Sequence, residues 1–178
     1  SSGSGLKTFT AVIAVIFGLV LLIGGVYLAV LGGSWYYIIA GLLFIATAVL
    51  LQKLKSTALI VYALLVLGTV VWGLWEVGSD FFALAPRLDI LGLFGLWLLI
   101  PAVTRGFDNA KSAKLVLTGS LAVTIAVMIY AVFNDPQEIR GELSSKQPAT
   151  AQSIPGVADG DWPAYGRTQS GLRYSPLT

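Results

Sequence analysis

The sequence predicts an all-α membrane protein, and three observations support this fold class. The chain has 178 residues, of which 56% are hydrophobic and only 11% are charged, whereas a soluble domain carries charge on roughly a quarter of its residues. The apolar residues fall into five runs separated by short polar loops. The charges in successive loops alternate between mainly basic and mainly acidic. We therefore expect five transmembrane helices that pack as an antiparallel bundle.

The apolar runs give the expected bounds of the helices. Residues 1–7 are expected to form a flexible N-terminus, and residues 8–133 the transmembrane region. Ser34 and Ser56 are suited to cap the second and third helices. The spans are predicted at about 8–31, 35–51, 57–77, 90–103 and 114–133.

The fourth span is the least regular of the five. Pro86 disfavours a continuous helix and Asp89 is a good N-cap, so we expect this span to begin at Ile90. About 14 residues then remain as far as Val103, against the ~20 that normally cross the hydrocarbon core. The sequence therefore predicts a thin membrane at this point.

The loop charges predict the orientation in the membrane, because basic loops remain in the cytoplasm. The N-terminus is therefore predicted to be cytoplasmic and the C-terminal tail to be outside. One side has the basic residues Lys7, Lys53, Lys55, Arg105, Lys111 and Lys114, with Asp108 as its one acid. The other side has the acidic residues Glu76, Asp80, Asp89, Asp135, Glu138 and Glu142, with Arg87 and Arg140 as its bases.

The composition excludes several kinds of chemistry. The chain has no cysteine and no histidine, so it cannot form disulfides, zinc–thiolate sites, iron–sulfur clusters or a bis-histidine haem site. A net charge of +2 without a basic stripe gives no reason to expect nucleic acid binding. No predicted span has a charge near its middle, which argues against a transporter or proton pump. We expect no catalytic residue and no metal ligand in this chain.

The candidate site is a cluster of aromatic and charged residues around the third and fourth spans. Trp72, Trp75 and Glu76 share one helix face at i, i+3 and i+4. Indole rings and arginine donors suit a flat amphipathic ligand such as a quinone headgroup, and carboxylates could deliver protons to it. The alternative is an ordinary interface belt of aromatic residues with solvated carboxylates. The candidate quinone-binding residues are Trp72, Trp75, Glu76, Asp80, Arg87 and Asp89.

Small residues at a spacing of four predict close helix packing. The pairs are Ala14 with Gly18, Gly25 with Ala29, Ser120 with Thr124, and Ala122 with Ala126.

The polar tail has two parts. Residues 134–160 are rich in Ser, Pro, Gly, Ala and Gln, which is typical of a linker. Residues 161–178, "DWPAYGRTQSGLRYSPLT", alternate aromatic and polar residues around glycine turns, as the first strand of a β-propeller would.

Four segments together carry a family resemblance: "LGGSWYYIIAGLL" (31–43), "GLWEVGSDFFALAPRLDIL" (73–91), "FNDPQEIRGEL" (133–143) and "DWPAYGRTQSGLRYSPL" (161–177). They resemble the membrane-bound quinoprotein glucose dehydrogenases of Gram-negative bacteria. The resemblance implies a five-helix anchor followed by a periplasmic β-propeller that holds pyrroloquinoline quinone (PQQ) and a calcium or magnesium ion. It implies oxidation of D-glucose to gluconolactone, with electrons passed to ubiquinone. The residues for PQQ, metal and substrate are expected in the propeller beyond Thr178, so this chain alone is expected to hold no cofactor.

The resemblance implies a role as the membrane anchor of such a dehydrogenase in the bacterial inner membrane, with the tail in the periplasm. The implied partners are membrane lipid, ubiquinone and a PQQ propeller domain in the same or another chain. Two alternatives remain open from the sequence. One is a separate small anchor subunit of a related polyol dehydrogenase, and the other is a small transporter.

Overall fold

The computed structural model describes residues 2–134 and residue 136, and within this part the regular structure is entirely helical. The predicted linker at 134–160, apart from residues 134 and 136, and the predicted propeller strand at 161–178 lie outside the described residues. The helices, in chain order, are α1 Ser2–Val30, α2 Tyr36–Gln52, α3 Thr57–Val77, α4 Phe81–Leu98, α5 Pro101–Thr104 and α6 Ala110–Phe133.

Four of these helices, namely α1, α3, α4 and α6, are long and apolar enough to cross a membrane. The α2 helix is equally apolar but has 17 residues, somewhat fewer than the ~20 of a typical span. The five predicted apolar runs thus all become helices, and four of them reach the length of a span.

The first helix starts earlier in the sequence than expected. It begins at Ser2, so residues 2–7, which we expected to be flexible, are helical. The helix ends in a glycine turn, in which Gly32 adopts a positive φ of 82°. Gly33 N donates to Leu28 O at 2.8 Å and Gly32 N donates to Ala29 O at 3.0 Å. These two bonds are the pair that closes a helix through a left-handed residue.

The fourth helix requires a correction. It begins at Phe81 rather than Ile90, and its N-cap is Asp80 rather than Asp89, because the Asp80 carboxylate accepts from Ala83 N at 3.0 Å. Pro86 lies inside the helix. A proline removes its own bond to the carbonyl four residues earlier, here Phe82 O, and spanning helices tolerate an internal proline. In the same turn, Arg87 Nη1 donates to the neighbouring carbonyl, Ala83 O, at 2.7 Å.

The length of α4 changes two expectations. With 18 residues it does not require a thin membrane, and the last part of the predicted span forms the separate short helix α5. Arg87 and Asp89 are the seventh and ninth residues of α4, about 9 and 12 Å from its start at 1.5 Å per residue. The expectation that no span has a charge near its middle is therefore wrong for α4, where Asp89 is the ninth of 18 residues.

The bundle is built around α3, which packs against α2, α4 and α6, while α1 packs mainly against α2. The core centres on Tyr62, which is fully buried and donates from its hydroxyl to Leu91 O at 2.7 Å. Phe44 and Phe94 contact Tyr62 with ring centroids 5.6 and 5.4 Å away. Phe17 of α1 completes this aromatic cluster against Phe44 at 5.9 Å.

Small residues set the closest helix contact, between α1 and α2. A Cβ added to Gly41 would lie 2.7 Å from Gly18 O and 2.7 Å from Leu22 N, and one added to Gly25 would lie 2.7 Å from Ile38 N. Backbone therefore meets backbone along this interface, as the predicted Ala14–Gly18 spacing indicates.

The other predicted small-residue pairs divide into two groups. Ser120 and Thr124 of α6 are buried, and both hydroxyls donate to carbonyl groups of their own helix. Ala122 and Ala126 are exposed on the outer face of α6, so the prediction that this pair packs against a helix is wrong.

Each end of the bundle gathers one class of loop. At the first end, Lys7 Nζ donates to Arg105 O, and Ser56 N donates to Asp108 Oδ1 at 3.2 Å. At the second end, Ser79 Oγ donates to Asn134 O at 2.7 Å, which joins the α3–α4 turn to the end of α6. The predicted grouping of basic loops at one end and acidic residues at the other thus agrees with these contacts.

Candidate functional site

The second, acidic end contains an ion pair between α3 and α4. Arg87 Nη2 lies 3.2 Å from Glu76 Oε2, and the two side chains are 30% and 35% exposed. Glu76 is in the last turn of α3. The arginine reaches it because helical side chains point toward the N-terminus of their own helix, which here is the polar end. The pair leaves no net charge on the Arg87 side of α4.

An aromatic stack lies beside this pair. The rings of Tyr36 and Trp72 are stacked, with centroids 5.6 Å apart and an angle of 11° between planes. Trp75 contacts Trp72 at 5.0 Å and is 76% exposed. Trp72 and Trp75 line an open groove of about 710 Å³ between α2 and α3. Trp72 Nε1 is buried and has no hydrogen-bond partner in the described part of the chain, an arrangement that costs about 1–3 kcal/mol in proteins.

A second cavity of about 290 Å³ lies among α1, α2, α3 and α4, and Tyr36 lines both this cavity and the groove. Its walls are almost entirely apolar and include Phe17 and Phe44. Its polar lining residues are Tyr36, Tyr37, Thr69 and Arg87. The cavity combines apolar walls with a few convergent polar groups, which is the usual composition of a small-molecule site.

The hydroxyl groups of this cavity form a short chain of hydrogen bonds. Thr69 Oγ1 donates to Leu65 O at 2.7 Å, and Tyr36 Oη bonds to Thr69 Oγ1. A hydroxyl has one proton, and that of Thr69 is used by the Leu65 carbonyl. The Tyr36 proton therefore forms the bond to Thr69, and the lone pairs of Tyr36 Oη remain available to accept.

Asp80 and Asp89 have other positions. Asp80 caps α4 as described above. Asp89 is exposed and lines a groove of about 490 Å³ between α4 and α6, together with Thr124 and Met128. Among the described residues, no group of three or more acidic side chains is arranged to hold a metal ion.

The structure therefore places the six predicted residues at four positions. It pairs Glu76 with Arg87, which lines the cavity, and puts Trp72 and Trp75 in the groove between α2 and α3. Asp80 caps α4, and Asp89 lies in the groove between α4 and α6. Two polar residues of the cavity, Tyr36 and Thr69, were not predicted from the sequence. Thr69 precedes Trp72 by three residues, so it lies on the same helix face, and this spacing was the signal that could have identified it.

Comparison with known proteins gives matches over nearly the whole chain. Quinoprotein glucose dehydrogenase A of Acinetobacter calcoaceticus is 62% identical over 177 residues, which is 99% of this chain and 22% of that protein. Quinoprotein glucose dehydrogenase of Escherichia coli (strain K12) is 51% identical over 97% of this chain and 22% of that protein. The chain thus spans about a fifth of the length of these relatives.

A shorter relative is matched over most of its own length. The glycerol dehydrogenase small subunit of Gluconobacter thailandicus is 37% identical over 103 residues, which is 56% of this chain and 81% of that protein. No protein-family model matches the chain, and no solved structure matches it. The matches to the glucose dehydrogenases fall on their N-terminal part. The chain therefore belongs to the quinoprotein glucose dehydrogenase family, of which it matches the N-terminal region.

Proposed function

We propose that this chain is the membrane anchor of a PQQ-dependent glucose dehydrogenase. It holds a β-propeller at the periplasmic face of the bacterial inner membrane, where D-glucose is oxidised to gluconolactone and electrons pass to ubiquinone. The observation that carries this proposal is the 62% identity to a quinoprotein glucose dehydrogenase over 99% of the chain, in a segment with four helices long enough to cross a membrane.

In this proposal the chain supplies position rather than chemistry. The propeller binds PQQ and a calcium or magnesium ion, and the helices keep it next to lipid and to the quinone pool. The six candidate residues, or a subset of them, contact the quinone at the acidic end. The isolated chain therefore oxidises no glucose when PQQ and metal are supplied.

All five long helices, including α2, cross the membrane in this proposal, with the N-terminus in the cytoplasm and the tail in the periplasm. The basic residues gathered at one end support this orientation. Single cysteines at Lys53 and at Ser145, which lies outside the described residues, are expected to react with impermeant reagents from opposite faces. Labelling of both positions from the periplasm would contradict the orientation.

The anchoring role is tested by removing the helices from the complete dehydrogenase. Deletion of residues 8–133 is expected to release dye-linked glucose oxidation into the soluble fraction and to abolish quinone reduction in membranes. The matched control replaces residues 8–133 with an unrelated five-helix membrane segment. The control restores membrane attachment, and it shows whether quinone reduction needs only proximity. Dehydrogenase that stays membrane-bound without residues 8–133 would refute the anchoring role.

A second candidate function is a separate anchor subunit for a polyol dehydrogenase. The match over 81% of a glycerol dehydrogenase small subunit favours it. The coding sequence that follows Thr178 distinguishes the two candidates. A propeller encoded in the same reading frame supports the single-chain anchor, and a stop codon supports the subunit.

A further inference from the structure

We propose that the cavity among α1–α4, rather than the Trp72–Trp75 groove, binds the ring of a lipid-soluble quinone and of its hydroquinone. Arg87 is the donor to one ring oxygen and Tyr36 is the acceptor for a ring hydroxyl. The proposal rests on the proposed function for its choice of ligand class. It narrows the six candidate residues to the Glu76–Arg87 ion pair and adds two residues, Tyr36 and Thr69.

The shape of the cavity suits a ring with a lipid tail. Its volume of about 290 Å³ is at the lower end of the range for ligand sites, so it holds a headgroup and leaves a long tail outside. Val20 of α1 and Ile90 of α4 both line it and are 64% and 52% exposed. The cavity therefore opens between α1 and α4, toward the hydrocarbon, where an isoprenoid tail would lie.

The charge of the site favours a neutral ligand. The arginine at the cavity is already paired with Glu76 at 3.2 Å, so a lipid phosphate would meet a neutral pair rather than a free cation. The guanidinium has five N–H groups. Arg87 Nη1 donates to Ala83 O and Arg87 Nη2 lies against Glu76, which leaves further N–H groups for a neutral oxygen.

The hydrogen bonds of the cavity favour the hydroquinone over the quinone. Tyr36 Oη presents lone pairs, because its proton forms the bond to Thr69. A quinone carbonyl cannot donate to Tyr36, whereas a hydroquinone hydroxyl can. The site therefore binds the reduced ring more tightly at the Tyr36 edge, and the preference depends on Thr69.

The position of the cavity agrees with the proposed function. The Glu76–Arg87 pair lies beside the α3–α4 turn, and Ser79 in that turn is bonded to Asn134 at the end of α6. The last helix, α6, ends beside this turn at Phe133. A ring bound here is thus at the end of the bundle after which the proposed catalytic domain follows in the sequence.

The test measures binding of decylubiquinone and of its reduced form to the 178-residue chain in phosphatidylcholine nanodiscs. Val20→Phe fills the mouth of the cavity and is expected to weaken binding of both forms about tenfold or more. Val26→Phe is the matched control, since it lies on the same helix, is 48% exposed and does not line the cavity. It is expected to bind both forms as the unmodified chain does.

Two conservative variants test the hydrogen-bond pattern. Tyr36→Phe is expected to weaken the hydroquinone about fivefold to tenfold and the quinone less than twofold. Thr69→Val frees the Tyr36 proton for a carbonyl and is expected to shift the preference toward the quinone. A merely structural role for these residues would change the affinity for both forms equally.

Other results would overturn the proposal. Unchanged binding in Val20→Phe would place the quinone elsewhere. Loss of binding in Trp75→Ala with retention in Val20→Phe would assign the ring to the Trp72–Trp75 groove. Native mass spectrometry detects phospholipid bound to the chain. A bound phospholipid that Val20→Phe removes, but that decylubiquinone does not displace, would identify a lipid site. The assay needs no dehydrogenase, so its failure is distinguishable from failure of the anchoring role.

Discussion

The α1–α2 and α4–α6 contacts represent two different kinds of helix interface in one small bundle. Along α1–α2, the glycines leave no room for a side chain, and backbone atoms of the two helices face one another. Between α4 and α6 a groove of about 490 Å³ remains open. Gly92, which lines this groove, has no other group within 4 Å of an added Cβ.

The difference shows what a glycine indicates in a membrane helix. At Gly18, Gly25 and Gly41 the absent side chain is a condition for helix contact, because dispersion between close backbones replaces the hydrophobic effect in lipid. At Gly92 and Gly119 it leaves space and lowers helix propensity. Sequence spacing alone does not separate the two groups, since both lie in apolar runs.

The largest expected loss of stability therefore comes from adding a single methyl group at the tight α1–α2 interface. Gly41→Ala places a Cβ 2.7 Å from backbone atoms of α1, which forces the helices apart, and we expect a loss of about 2–3 kcal/mol in the free energy of unfolding. Gly119→Ala is the matched control, with open space around its Cβ, and is expected to stabilise by up to about 1 kcal/mol through helix propensity. Unfolding in mixed micelles with increasing dodecyl sulfate measures both changes.

Equal stability of the Gly41→Ala and Gly119→Ala variants would show that α1 shifts along α2 at little cost. The close α1–α2 contact would then contribute no more to stability than the open α4–α6 interface.

A smaller effect is expected from neutralising a carboxylate on either of two faces of α4. Glu76→Gln leaves Arg87 without its partner at the end of a span, where a charge is costly. Since both side chains are about one-third exposed, we expect a loss of about 1–2 kcal/mol. Asp89 faces the open α4–α6 groove and has no ion pair or hydrogen bond with any described residue. Asp89→Asn is therefore expected to be neutral or slightly stabilising.

The same unfolding assay compares the two charge variants. A larger loss from Asp89→Asn than from Glu76→Gln would mean that the groove contains a partner for this carboxylate. The openness of the α4–α6 interface would then reflect a missing contact rather than loose packing.

The sequence predicts most of the fold because hydropathy and loop charge are local properties. The α3 helix lies at its predicted bounds, 57–77. The start of α4 was missed because Pro86 was taken to prevent a helix, although a proline removes only its own bond to the carbonyl four residues earlier. The Arg87–Glu76 ion pair, which ties this first half of α4 to α3, forms only after the two helices have packed.

The site is less predictable than the fold, because it depends on contacts between helices. The charge pair could be anticipated from its position between two spans. The arrangement of the aromatic residues could not be anticipated, because Tyr36 comes from α2, stacks on Trp72 and lines both the groove at Trp72 and the cavity at Arg87. Helix periodicity identifies the face on which a residue lies, but it does not identify the neighbouring helix that this face meets.

The smallest expected effect tests whether α1 is held by its glycines alone. Trp97 Nε1 of α4 donates to Thr10 Oγ1 of α1 at 2.9 Å, a second attachment outside the tight α1–α2 interface. Trp97→Phe removes this bond while Thr10 still donates to Leu6 O, so we expect a loss of about 0.5–1 kcal/mol, typical of an interhelical hydrogen bond in a membrane. Trp35→Phe, at an indole that is 69% exposed, is the control and is expected to change stability less. Combined with Gly41→Ala, the Trp97→Phe loss is expected to shrink if α1 has already separated from the bundle, and to add in full if the Trp97 attachment holds α1 independently of its glycines.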